Sequence, residues 1–263
     1  VTTDPALLAQ KIQAIDEATS EGKDPSGPNY NVAPTTTIST VVKRHTEPDD
    51  ESTRRVRLMR WGLLPPWVKS ADDGTPDNKG PLLINARAEK VTSSPAFRSS
   101  AKSKRCLVPM DGWYEWRPNG ETSAGGQERS DRGSGRGKKA AKTPFYMYGA
   151  DGELLYMAGL WSTWRPKDAP KASPPLLSCT IITTDAAGPL AEIHDRMPLT
   201  ISQADWDRWL DPDAPIDEGL LRGHGDLDRI AIREVSRLVN SVRNNGPELI
   251  EPAEPQAEQG TLL

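Results

Sequence analysis

Gly112-Trp113-Tyr114-Glu115-Trp116 is the stretch on which the fold turns. Aromatic residues favour extended, half-buried backbone, and successive side chains of a strand point to opposite faces. Trp113 and Glu115 then share one face, Tyr114 and Trp116 the other. A carboxylate set beside large apolar rings loses hydration. That disfavours its ionised form and suits it to proton transfer near neutral pH. The alternative is an edge-strand Glu115 pointing into water between ordinary core aromatics. The pentapeptide alone admits both readings.

Outward from it, short apolar segments recur at Thr37–Val42, Val56–Trp61, Cys106–Pro109, Phe145–Tyr148, Leu154–Trp161 and Leu176–Thr183, punctuated by Pro and Gly. Their length and spacing predict strands in a mostly antiparallel system. Thr3-Asp4-Pro5, followed by Leu7, Leu8, Lys11, Ile12 and Ile15, predicts a capped amphipathic helix with proline in its first turn. Further helices are expected near Pro95–Lys102, Asp185–Ile193 and Ser202–Leu210, with Trp206 and Trp209 as core anchors. The fold class is α+β: one domain over 1–250 of mainly antiparallel sheets with peripheral helices. Residues 118–143, almost devoid of apolar side chains, read as a flexible hairpin insertion, and 251–263 as an acidic disordered tail.

The net charge of -4 comes from the C-terminal end. Without the four acids after Pro247, 33 acidic residues face 33 basic ones. Two clusters, Arg54, Arg55, Arg57, Arg60 and Arg98, Lys102, Lys104, Arg105, have no acid between their members. They permit a nucleic-acid groove without requiring one; a solvated charged face is the default for either. Cys106 and Cys179, the only cysteines, sit in apolar runs and read as buried free thiols, which suits a reducing cytosol. No apolar run approaches the ~18 residues of a membrane span.

Four polar sites interrupt constrained stretches. Asn31 in Tyr30-Asn31-Val32-Ala33-Pro34 opens an extended segment or caps a turn. Asn85 and Arg87 alternate onto one face, able to grip a phosphate or to end a surface strand. Trp61 and Trp67 bracket a Gly/Pro loop, as base-stacking platforms or as core rings. His194 sits where a helix C-terminus and Asp195 favour imidazolium, as an acid or as a cap. Phosphate loops, paired metal-ligand motifs and a nucleophile-elbow serine are absent. A Glu, a His, an Asn and an Arg with tryptophans, and no nucleophile, make half of an active site.

Tyr-Asn-Val-Ala-Pro at 30–34, Trp-Gly at 61–62, Asn-Ala-Arg-Ala-Glu at 85–89, Asp-Gly-Trp-Tyr-Glu-Trp at 111–116, Ile-His-Asp-Arg-Met-Pro at 193–198 and the run 235–246 together resemble, in order, the SOS response-associated peptidase (SRAP) family of abasic-site processing proteins. The resemblance implies a barrel-like fold and a protein that binds single-stranded DNA, or its junctions, and cross-links itself to the aldehyde of an abasic site. It implies an N-terminal cysteine, freed by removal of the initiator Met, whose amine and thiol close a thiazolidine on one carbon. Glu115 would shuttle protons, His194 open the sugar ring and Asn31 orient the amine. Pro34, Trp61, Gly62, Asn85, Arg87, Thr183 and Arg196 would contact DNA. No cofactor or metal, no membrane and a monomer are expected. The family begins Cys-Gly-Arg, whereas this chain begins Val1-Thr2-Thr3, so a short leading segment carrying the cysteine is expected to precede it. The competing functions are a thiol autopeptidase acting on other proteins and a non-covalent single-strand binder.

Overall fold

In the computed structural model, which describes residues 2–19, 27–77, 79–119, 141–170 and 172–254, alternation along five strands builds a closed wall. These are β2 (Thr37–Arg44), β3 (Thr53–Trp61), β5 (Arg105–Met110), β8 (Leu155–Trp164) and β9 (Leu176–Asp185). Antiparallel pairing runs β3-β2-β5-β8-β9, and β9 returns to β3 through a short parallel contact, Arg60 with Ser178 and Trp61 with Cys179. The expected barrel is therefore present. β1 (Ile15–Asp16) extends it alongside β3, and β4 (Asn85–Arg87) and β10 (Arg196–Pro198) alongside β9.

The two faces of the wall bury different side chains. Inward come Ile38, Val42, Met59, Cys106, Val108, Leu155, Met157, Leu177, Cys179 and Ile181, one cluster drawn from all five strands. Outward come Val41, Val56, Leu58, Leu107, Ala158, Leu160 and Ile182, against which four short helices pack. These are α1 (Pro5–Lys11), α2 (Arg98–Ser103), α3 (Trp206–Leu210) and α4 (Glu218–Arg222), contributing among others Leu8, Ala101, Trp209 and Leu221. Each helix is too short to stand alone, so burial against the barrel holds it in place.

A second sheet of three antiparallel strands, β11-β7-β6, is formed by β6 (Gly112–Pro118), β7 (Lys142–Gly149) and β11 (Ile230–Glu234). Only Asp111 separates β5 of the barrel from β6. One face of this sheet packs Phe145 and Met147 on Leu190, Ile193 and Met197, and the other packs Tyr146 on Val235, Val239 and Leu249. Trp113 touches both the barrel interior and the first of these clusters, so its ring joins the two sheets.

Several expectations need correction. α1 ends at Lys11, and Ile15 opens β1 with an exposed side chain. The helix expected over 185–193 is a single 3-10 turn, Gly188–Glu192; Asp185 still belongs to β9, whose pairing with β10 extends that strand. α2 begins at Arg98 because Pro95 to Phe97 form a turn that buries the Phe97 ring. Arg98 and Lys102 are exposed, as a solvated face predicts, but the other arginines of the two clusters are engaged within the protein. Arg55 and Arg57 pair with Glu17, Arg54 with Asp207, and Arg60 donates to the Gly62 carbonyl. Arg105 is buried, its guanidinium donating to the carbonyls of Trp209, Ala101, Lys102, Asp211 and Ala214, as a buried cation must. Within the expected insertion, 118–119 and 141–143 continue or flank β6 and β7, and 120–140 lie outside the described residues, as do 255–263 of the expected tail.

Trp209 has no exposed surface, and its indole N–H donates to the Cys106 carbonyl at 2.8 Å. Trp209→Ala is expected to remove about 3–5 kcal/mol of stability in urea unfolding. A loss under about 1 kcal/mol would mean the ring is not the bolt between α3 and the barrel.

Candidate active site

One end of the barrel opens beneath the small sheet into a cavity of about 970 Å³. Nine of the ten residues singled out from the sequence line it: Asn31, Pro34, Trp61, Asn85, Arg87, Glu115, Thr183, His194 and Arg196. The tenth, Gly62, lies directly behind Trp61, buried, with φ at +118°. Its N–H reaches the Cys179 carbonyl at 2.8 Å, and a Cβ there would meet the Arg60 guanidinium at 2.9 Å. Glycine is needed to turn β3 away once it has closed on β9.

Glu115 stands on β6, opposite Phe145 on β7. Burial pushes its pKa up from 4.5 to about 7; the neighbouring charge of His194 pulls it down, Asp195 pushes it up and Lys142 pulls it down. The first reading of the pentapeptide holds: this carboxyl faces the cavity and sits near the midpoint of its titration at neutral pH. Tyr114 and Trp116, on the opposite face, secure the cavity rim. The Tyr114 hydroxyl donates to the Tyr30 carbonyl at 2.8 Å, and the Trp116 indole N–H to the Asn240 side-chain oxygen at 2.7 Å.

His194 follows the 3-10 turn, its backbone N–H reaching the Leu190 carbonyl at 3.1 Å. Nδ1 lies 3.0 Å from the Arg196 backbone nitrogen and 3.1 Å from its carbonyl oxygen, so the Arg196 backbone holds the ring in either tautomer. Asp195 lies 3.2 Å from the same Nδ1. Arg196 is already engaged. Its guanidinium forks onto Glu89 at 3.1 and 3.0 Å, meets Asp185, and donates to the Thr183 carbonyl at 2.7 Å. It therefore ties β10 to β9 and to the turn after β4 as well as lining the cavity.

The Asn31 amide nitrogen points at three carbonyls, Val239 at 3.1 Å, Ser241 at 3.0 Å and Asn244 at 3.2 Å. Its amide thus bolts the segment before β2 to the segment after β11. Asn85 and Arg87 are exposed at either end of β4, on one side of the strand as alternation requires, with Ala86 buried between them. The Trp61 indole N–H donates to the Ile84 carbonyl at 3.0 Å, while its ring packs at the top of the barrel core and its surface reaches the cavity. Trp67, the other candidate stacking ring, is 60% exposed and lies outside the cavity lining. Cys106 and Cys179 are fully buried thiols, with Cys179 pushed up to about 12 and Cys106 also raised by burial. Thr2 and Asp111, which also line the cavity, escaped the sequence reading as individuals, although Asp111 stood inside a quoted motif. Among the described residues, no group of three or more His, Cys, Asp or Glu is placed to hold a metal ion, and no helix is long and apolar enough to cross a membrane.

The family model described as SOS response associated peptidase (SRAP) matches residues 1–242. The chain belongs to the SRAP family. The abasic site processing protein YoqW of Bacillus subtilis (strain 168) is 36% identical to it over 240 residues, 90% of this chain and 91% of that one. The abasic site processing protein HMCES of Gallus gallus is 33% identical over 252 residues, 86% of this chain and 67% of that one. A solved structure of a protein from Bacteroides thetaiotaomicron matches with a TM-score of 0.70 over 97% of this chain and 98% of its own, at 22% identity, a likeness of fold. The SRAP barrel and its decorating sheet are thus an arrangement already seen by crystallography.

A carboxyl raised on folding costs this SRAP protein stability wherever it ionises. Its folded state holds the proton up to about pH 7 and its unfolded state only to about 4.5, so stability falls as pH rises through that window. Glu115→Gln, neutral throughout, should be more stable than wild type at pH 8, by on the order of 2–3 kcal/mol, with the gap closing toward pH 4. Urea titrations at the two pH values check this. A gap that does not change with pH would place the carboxyl in water.

Proposed function

We propose that this protein processes abasic sites in single-stranded DNA, and its junctions with duplex, by forming a covalent adduct at the cavity. The observation that carries the reading is the meeting of Glu115, His194, Asn31 and the exposed Arg87 in one open cavity that also receives Thr2, from the start of the chain. An N-terminal cysteine ahead of Val1 supplies the nucleophile. Neither internal cysteine can replace it, being buried and having no free amine.

The chemistry needs no oxidant. The amine adds to the aldehyde carbon of the ring-opened sugar, and the carbinolamine loses water to give an imine. The thiol then adds to the same carbon, closing a five-membered ring, while its proton passes to the imine nitrogen. Glu115, near neutrality, serves both directions. Protonated, it gives its proton to the departing hydroxyl; ionised, it takes one from the incoming amine. His194 assists the opening of the sugar by moving a proton between the ring oxygen and the anomeric hydroxyl. Asn31 has its amide N–H groups committed to backbone carbonyls, so its amide oxygen is the atom available to the amine. Holding both reacting groups beside one carbon makes the second bond intramolecular, a large entropic gain. Arg87 and Asn85 meet phosphate and sugar oxygens, and Trp61 the base at the lesion. In the same site Glu115 would assist release of an initiator Met from the cysteine. Every group named comes from one chain, so a monomer suffices.

The test uses the full-length protein with its natural leading residues and a uracil-containing single strand treated with uracil glycosylase. A heat-stable, slowly migrating adduct is expected; its absence leaves only a non-covalent strand binder. Glu115→Gln should slow adduct formation about 100-fold and leave affinity for undamaged strand unchanged. Arg87→Ala should weaken binding and reduce the salt slope by about 0.7. An unchanged slope would take Arg87 out of the DNA path.

A further inference from the structure

Thr2 and Asp111 are held together across 109 positions of sequence. The Thr2 backbone N–H donates to Asp111 Oδ2 at 2.8 Å, and its hydroxyl to Oδ1 at 2.6 Å, so both carboxylate oxygens accept from Thr2. Both residues line the cavity. Asp111 is the single residue between β5 and β6 and stands four positions before Glu115, on backbone whose next residue has no room for a side chain. A Cβ at Gly112 would fall 2.1 Å from the Met147 carbonyl oxygen and 2.6 Å from the Tyr146 ring.

On its other side Thr2 runs into a rigid element. Asp4 caps α1 by accepting from the N–H groups of Ala6 at 2.8 Å and Leu7 at 3.2 Å. Leu8 and Ile12 then bury the helix against the barrel. A loosely held chain start would need only the cap. A bidentate carboxylate grip placed ahead of that cap, at the cavity wall, fixes where the chain enters. Whatever precedes Thr2 then starts from a fixed point on the wall of the cavity that Glu115 also lines, with about 3.3–3.6 Å of reach per residue.

From this geometry we propose that Asp111 is a positioning residue for the reaction, a clamp that delivers the leading segment of the chain into the cavity. The inference rests on the proposed cross-linking function for its kinetic consequence, but the clamp itself is measurable without DNA. Asp111 acts through its grip on Thr2. It raises the share of time the terminal amine and thiol spend within reach of the aldehyde, the part of the barrier that proximity controls.

The experiment takes the full-length protein, Asp111→Ala and Thr2→Val, the second removing only the hydroxyl bond. At saturating abasic-site DNA, Asp111→Ala should cross-link about tenfold more slowly or worse, and Thr2→Val by a smaller factor. Affinity for undamaged strand and the melting temperature should be unchanged. Equal loss of binding and cross-linking rate, or a rate lost only in step with melting temperature, would make Asp111 a structural residue and overturn the proposal. Amide exchange at Thr2 supplies the second reading. Protection in wild type that is lost in Asp111→Ala supports the clamp, and equal exchange in both overturns it. If wild type forms no adduct at all while Thr2 remains protected, the cross-linking function fails and the clamp stands.

Discussion

Closure of the barrel between β3 and β9 rests on two residue pairs, Arg60 with Ser178 and Trp61 with Cys179. That short parallel contact is the constraint from which the site follows. It ends β3 at Trp61, forces the positive φ of Gly62, and leaves β9 free to continue past the closure. On that continuation β9 gathers β4 on one side and β10 on the other. Arg87 and Pro198 both take Thr183 as their register partner, so Asn85, Arg87 and Arg196 reach one mouth although more than a hundred residues separate β4 from β10. The Arg196 guanidinium, shared among Glu89, Asp185 and the Thr183 carbonyl, locks the junction.

Over that mouth the small sheet places a carboxyl where water is scarce. Its withdrawal from water is unfavourable to folding at neutral pH and useful to chemistry there, because a group near half-protonation serves as acid and as base without a change of site. The surrounding charges are balanced rather than one-sided: His194 and Lys142 oppose burial, and Asp195 reinforces it. The resulting local instability is offset by the packing of Trp113 between the two sheets and by the hydrogen bonds of Tyr114 and Trp116 on the opposite face.

Much of this was legible in the sequence. Every long strand announced itself by apolar alternation between Pro and Gly, and the two-faced reading of 112–116 carried through to the structure, with Trp113 and Glu115 on one side of β6. The short strands β1, β10 and β11 left no comparable signal, since two to five residues are stabilised by a partner strand rather than by their own pattern. Asp185–Ile193 misled because apolar spacing over so short a window fits a helix and a strand-plus-turn equally. The cluster Arg54, Arg55, Arg57 looked like a surface because its partners, Glu17 and Asp207, are distant in sequence. For the same reason the Thr2–Asp111 contact could not be seen: nothing in either segment names the other. The residues of the quoted motifs do converge: Asn31, Trp61, Asn85, Glu115 and His194 line one cavity.

The most direct measurement is a carbon-13 NMR titration of the Glu115 side-chain carboxyl, assigned by its disappearance in Glu115→Gln. A midpoint near about 7 is expected, set by burial between the barrel and the small sheet. A midpoint near the ordinary 4.5 would mean that the carboxyl is solvated, and the proton-handling role at the heart of the proposed chemistry would be lost.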